Sequence, residues 1–501
     1  MEINIKPDRE HIYEICSKID TGVYAIPVFQ RDYIWSKDQI LDLFDSISKG
    51  FPIGTVMLWQ PQDGLKNSKM ILTDETVENP APQYYILDGR QRLTSFYGCV
   101  SQVEDKDDRF KLSYNLVSGR FEYTDKNSDT ILRVSDIYDT FSLLGRLQTI
   151  IEKVLDKEKA KEYINRAKKL NAIFQSYDMG EMVVNNCPLS EARVIFSRIN
   201  SKGTDISNVH MLQALSYRKE NDLLLSNEID GILENLIPYG FNGLSQDDIL
   251  NCFYRWYKKK FYDAKIDDLE NVDFTVHLAE IKEVILKSVR FLFEECSVLS
   301  NKILPYSKQL IAITWFFKAF PEPTQEQKAE LKKWFFYTTC QQSFQNSSLS
   351  NIRNIFNKFD DYLSEKSSSL IDYKPIKWPL TLCSYLSVNS AKKDFMLIAM
   401  ADHYKKSYHG HLRYNSYLRK TSNDPEGCIL MIDEDDYARL ESVFSLGIIT
   451  EDISRYLLDE TMVNCYRSKD FISFKQLRKN AILECEKKLI AQHGIAIEGI
   501  N

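Results

Sequence analysis

In Tyr84-Tyr85-Ile86-Leu87-Asp88-Gly89-Arg90-Gln91-Arg92-Leu93-Thr94-Ser95 an apolar, β-prone run stops at an acid and a glycine, and two arginines follow where a helix should begin. Gly89 has no Cβ, so the backbone can turn tightly and a ligand can come close. The residues after it form a first helical turn whose N–H groups lack intrahelical partners. Those donors and the helix dipole favour an anion. Arg90 and Arg92 add planar forks suited to phosphate, and Thr94 and Ser95 add hydroxyls. Asp88, at the strand end, is placed to hold a ribose hydroxyl or a magnesium ion. A second reading stands level with this one: Arg90 and Arg92 as solvated helix residues, and Asp88 as a helix N-cap.

Two further clusters carry long hydrogen-bonding side chains beside a loop or a helix end. Gln30-Arg31-Asp32-Tyr33-Ile34-Trp35 follows a strand-like run, and its aromatic pair beside an arginine suits stacking on a base or a guanidinium. Its alternative is that Tyr33 or Trp35 is core. Phe196-Ser197-Arg198-Ile199-Asn200-Ser201-Lys202-Gly203 ends a helix, with Gly203 as a left-handed cap. Arg198 and Lys202 could face the same anion as the first cluster, or simply pair with the helix C-terminus.

The elements that must position these clusters are legible around them. Asp38 to Lys49 reads as a helix with Ile40, Leu43, Phe44 and Ile47 on one face. Gly54 to Trp59, Tyr84 to Leu87 and Glu181 to Asn185 read as strands, and Ser118-Gly119 as the turn of a hairpin. Lys153 to Phe174 and Ser190 to Ile199 read as helices, with a further helix starting near Ser207. Beyond about residue 220 the pattern is almost wholly helical, as in Leu278, Ile281, Ile285, Val289 and Leu292. Thr324 with Gln327 predicts a capping box, and Ile352, Ile355, Phe356, Phe359 and Leu363 an apolar stripe. Such stripes are bundle core rather than cofactor sites.

Taken in order, the three clusters resemble the N-terminal domain of GmrSD-type restriction proteins, also called domain of unknown function 262. That family shares a Gln-Arg-x-Tyr-x-Trp segment, an Asp-Gly-Gln-Gln-Arg motif and a Phe-x-x-Ile-Asn-x-x-Gly segment. All three occur here, over roughly the first 215 residues, with Arg90 where the family usually has Gln. The resemblance implies a ParB/sulfiredoxin-like fold, binding and hydrolysis of a nucleoside triphosphate such as GTP with Mg2+, and a role in bacterial defence against phage DNA. It makes Asp88, Gly89, Gln91 and Arg92 the core nucleotide site, with Gln30, Arg31, Arg198 and Asn200 behind them. Arg90, Thr94 and Lys202 join on the chemistry above, and Asp88 and Arg92 are the catalytic candidates.

The family's nuclease usually resides in a C-terminal His-Asn-His domain, and here that match fails. His409-Gly410-His411 with Asn415 or Asn423 imitates it poorly, so nuclease activity is not expected from this chain alone. From His403 to Lys420 there is no acid, while Lys405, Lys406, Arg413 and Arg419 interleave with tyrosines. With His409 and His411 this patch suits phosphate contact plus base stacking, hence DNA. Arg255-Trp256-Tyr257-Lys258-Lys259-Lys260 is a smaller version, read as helix with buried aromatics.

Composition bounds the rest. A chain of 501 residues with 44% hydrophobic and 27% charged residues is globular and too long for one core. The net charge of −7 does not announce a nucleic-acid binder on average. No two of the 10 Cys have C-x-x-C spacing, which argues against a zinc ribbon. Met1 to Lys6 has no apolar signal core, and the expectation is a cytoplasmic protein without membrane contact.

The expected architecture is therefore an α+β domain, ParB/sulfiredoxin-like, over 1–215, a helical domain over 216–395 and a C-terminal helical domain over 396–501. The expected function is anti-phage defence, coupling nucleotide turnover to phage or modified DNA, with room for a partner nuclease and for a homo-oligomer. Its rivals are a non-enzymatic nucleotide- or DNA-binding interaction module and a modification-dependent endonuclease with an unrecognised catalytic site.

Overall fold

The computed structural model describes residues 4–61, 65, 67–78, 82–103, 106–126, 128–200, 209, 212–213, 224–258, 262, 269, 272–377, 390–404, 413–416, 424–433, 435–447 and 451–498. The chain divides into two compact units, Met1–Leu224 and Leu225–Asn501.

The first unit is α/β. Its elements are β1 (Asn4–His11), α1 (Ile12–Asp20), β2 (Tyr24–Pro27), α2 (Lys37–Ser48), β3 (Thr55–Pro61), β4 (Asn67–Lys69), β5 (Thr76–Glu78), β6 (Tyr84–Asp88), α3 (Arg90–Val100), β7 (Ser113–Asn115), β8 (Arg120–Glu122), β9 (Ile131–Arg133), α4 (Val134–Tyr138), α5 (Thr140–Lys153), α6 (Lys157–Ser176), β10 (Asp178–Cys187) and α7 (Leu189–Asn200). A mixed sheet runs in the order β1-β10-β3-β6-β2-β4-β5, and a small antiparallel sheet in the order β8-β7-β9. Parallel pairing joins β10 to β3 and β2 to β6, whereas β3 and β6 are antiparallel.

The central strands are apolar on both faces because both faces are covered. Along β3, Val56 and Leu58 join one core and Trp59 the other; along β6, Ile86 faces the first and Tyr85 and Leu87 the second. The larger core includes residues of α1 to α6, among them Ile12, Phe44, Phe96, Ile137, Leu147 and Phe174. The smaller core is closed by Ala192 and Phe196 of α7. The predicted helix at α2 begins with a capping box, in which Ser36 accepts from Gln39 N and the Gln39 side chain accepts from Ser36 N. The hairpin around Ser118-Gly119 forms as β7 and β8, its turn held by Asn115 Oδ1 accepting from the N–H groups of Val117 and Ser118. The helix expected near Ser207 begins outside the described residues.

The second unit is mostly helical, with long helices at Leu278–Glu295, Gln325–Cys340, Leu349–Leu363, Ala391–Tyr404 and Phe471–Gln492. The Thr324 and Gln327 capping box is present. One departure from an all-helical reading is an antiparallel hairpin of Arg413–Ser416 with Cys428–Met431. Behind it lies Arg478, fully buried, donating to the carbonyls of Cys428, Tyr456 and Leu457. Among the described residues no helix is long and apolar enough to cross a membrane, and the nine described cysteines are free.

Candidate functional site

The site is built where β6 hands over to α3. Gly89 is the N-cap at φ +92°, a left-handed conformation that suits glycine. A Cβ there would also lie 3.0 Å from Val56 Cγ2 on the neighbouring strand. No side chain caps α3, and its first helical bond runs from Leu93 N to Gly89 O, 3.0 Å. The N–H groups of Arg90, Gln91 and Arg92 therefore have no helical partner.

The motif side chains are spent mostly on the protein itself. Arg90 is 3% exposed and turned inward: it ion-pairs with Asp74 and donates to the carbonyl of Arg31. Burial pulls its guanidinium down to about 10, which leaves it charged at neutral pH. Arg90 is thus an internal strut, neither a phosphate fork beside Arg92 nor a solvated helix residue. Gln91 Oε1 accepts from Ile34 N (3.0 Å) and Trp35 N (3.3 Å), and its amide donates to Asp32 O (3.3 Å). Arg92 donates to the carbonyls of Ile53 (2.6 Å) and Thr55 (2.9 Å) and pairs with Asp88 at 3.1 Å. Arg92 so ties the start of β3 to the end of β6, and Asp88 is the last residue of β6 rather than a helix cap. Thr94 is fully buried and donates to Ile71 O at 3.4 Å, which takes its hydroxyl away from solvent.

The Gln30 to Trp35 cluster is knitted onto the Asp88 to Arg92 cluster. Gln30 is 4% exposed; its amide donates to Leu87 O at 3.0 Å, and its Oε1 is buried without a partner among the described residues. Lys69 donates to Gln30 O (3.0 Å) and pairs with Asp32 (2.5 Å). Tyr33 is core: its hydroxyl bonds Ser95 at 2.7 Å, and the guanidinium that stacks on its ring, at 4.8 Å, belongs to Arg109 rather than to Arg31. Trp35 packs against the same core. Arg31 is half-buried, and burial lowers its guanidinium from the ordinary value.

The third cluster touches the residue before Gln30 through Phe196, whose ring lies 5.8 Å from that of Phe29, edge to face. Arg198, in the last turn of α7, is exposed. Asn200 ends α7, but its side chain lies outside the described residues, as does Lys202. Gln30, which donates to Leu87 O, and Phe196, which shares the smaller core with Leu87, thus both meet the end of β6 that leads into Gly89.

Asp74, Lys69 and Arg109 are the working residues that sequence reasoning missed. Each acts through a partner remote in sequence, and no local pattern marks it. Among the described residues no group of three or more His, Cys, Asp or Glu could hold a metal.

Of the expected DNA-contact patch, Lys405, Lys406, His409, His411 and Arg419 lie outside the described residues, and Arg413 is described only as strand backbone. In the smaller basic stretch Arg255 is 1% exposed, paired with Asp360 and stacked 4.6 Å over Trp315, which makes it core.

Residues 12–217 match the family model described as the GmrSD restriction endonuclease, N-terminal domain. An uncharacterized protein of Methanocaldococcus jannaschii is 20% identical over 418 residues, covering 73% of this chain and 69% of its own length. The ordered motifs agree with this match: residues 12–217 are similar to the GmrSD-type N-terminal domain family.

Proposed function

We propose that this chain is a restriction-type anti-phage defence protein whose first unit binds a nucleoside triphosphate at the N-terminus of α3. The observation that carries the reading is the left-handed Gly89, which opens a helix whose first N–H groups have no helical partner, with Gln30 and Phe196 packed against the strand that leads into it. In this reading the α3 N-terminus receives phosphate oxygens. Arg31, Arg198 and Lys202 supply positive charge, and Asp88 takes a ribose hydroxyl or a phosphate-bound Mg2+. The orphaned Oε1 of Gln30 fits a donor on the ligand. Gln91 and Arg92 act as positioning residues, because their polar atoms hold the flanking loops. GTP is the triphosphate that the family resemblance favours. Turnover, a ParB/sulfiredoxin-like ancestry for the fold and DNA contact by the stretch from Lys405 to Arg419 are further parts of the same proposal.

Calorimetric titration of the full chain with each nucleoside triphosphate and Mg2+ tests it. One triphosphate should bind, and Arg31→Ala and Arg198→Ala should each weaken it about tenfold, the scale of one charge-assisted hydrogen bond. Equal affinity in both variants would remove these arginines from the site. Phosphate release by wild type and Asp88→Asn then separates turnover from binding alone.

A further inference from the structure

We infer that the first unit carries a second ligand site, a cavity for a neutral, mainly apolar molecule bearing one hydrogen-bonding group. The cavity has a volume of about 570 Å³ and includes Tyr97, at the far end of α3 from Gly89. That is the size of ordinary small-molecule sites. Ile19, Ile71, Leu72, Val77, Val103 and Phe110 supply its apolar wall.

The charged wall residues are already engaged. Asp20 accepts from the Tyr97 hydroxyl at 2.5 Å, and Lys69 pairs with Asp32 at 2.5 Å. Lys106 donates to the carbonyls of Gly98 (3.1 Å) and Ser101 (2.9 Å), and Asp107 is held by Arg109 at 2.8 Å. Two acids and two lysines balance, and among the described residues no arginine lines the space. A phosphate would find no unspent cation here, whereas an uncharged ring would lose no solvation.

The second observation is Ser68. It is 3% exposed and lines the cavity. A hydroxyl on a cavity wall is a handle for a ligand's polar group. The same wall is anchored from behind by the motif residues, through Thr94 to Ile71 O and Arg90 to Asp74. The cavity is thus held in shape by the segment that opens α3, but it does not depend on the nucleotide reading.

Fluorescence titration of the full chain with 1-aminoanthracene, an uncharged aromatic amine, tests the site. Saturable enhancement is expected with one site per chain. Ser68→Ala should weaken it about fivefold, the worth of one hydrogen bond. Val103→Arg should weaken it more than tenfold, by placing a charge at a position that is 50% exposed and tolerant of change. No saturable enhancement up to about 1 mM, or enhancement equal in wild type and Val103→Arg, overturns the proposal. Triphosphate titration of Val103→Arg reports on the α3 site separately.

Discussion

Arg90→Gln restores the residue usual at this motif position in the family that the sequence resembles, and the structure predicts that here it damages the protein. Arg90 is 3% exposed and Asp74's side chain 22% exposed, so the pair is mostly out of water. Removing one partner of a buried pair costs about 3–5 kcal/mol, because the other charge stays behind unpaired. Water can reach part of Asp74, which places the expected loss near the lower end, about 3 kcal/mol. Glutamine is too short to replace the donation to the Arg31 carbonyl, so the 30–32 loop also loosens. Asp74→Asn in the same background should recover a third or more of the loss, since an amide oxygen can still accept from Tyr33 N. Urea unfolding of the full chain gives the free energies, and hydrogen exchange of residues 28–36 localises the effect. If Arg90→Gln leaves both unchanged but weakens triphosphate binding, Arg90 is a ligand contact and the strut reasoning is refuted.

Gly89→Ala should cost about 1–2 kcal/mol in urea unfolding from the left-handed backbone alone, and more from the Cβ contact with Val56; an unchanged midpoint would contradict that entry into α3. Arg478→Leu should cost about 2–4 kcal/mol, by stripping donors from three buried carbonyls; thermal unfolding of the second unit checks it. Burial pushes the Glu181 carboxyl up from 4.5 to about 7, opposed by the Tyr24 hydroxyl, which bonds it at 3.0 Å. A raised carboxyl stabilises the fold in its protonated form, so its contribution is full below pH 4.5 and is lost as pH rises through about 7. Stability should fall by up to about 1.4 kcal/mol per pH unit in that window, and Glu181→Gln should flatten the slope; an identical slope in the variant would contradict the assignment.

The strand-to-helix turn at Gly89 was legible because the local signals agreed: a continuous apolar, β-prone run on β6, then an acid and a glycine. The Thr324 capping box was legible because it rests on Thr324 and Gln327, three residues apart. What local pattern could not reveal was the direction of a long side chain. Arg90 reads like Arg92 in sequence, yet one enters the interior because Asp74 waits there and the other spans two strands. Strand β1 was hidden too. Its residues Asn4 to His11 are largely charged and polar, and it forms because the backbone of β10 offers it eight register partners. The hairpin at Arg413 and Cys428 was missed for a related reason: its first strand lies inside the basic, tyrosine-rich stretch from His403 to Lys420, which read as a contact patch rather than as a strand.

The most direct measurement is a structure of the full chain with a non-hydrolysable triphosphate and Mg2+. The account predicts phosphate density within about 3 Å of the N–H groups of Arg90, Gln91 and Arg92, with Arg90 still turned toward Asp74. Density elsewhere, or Arg90 swung out onto the phosphates, would contradict it.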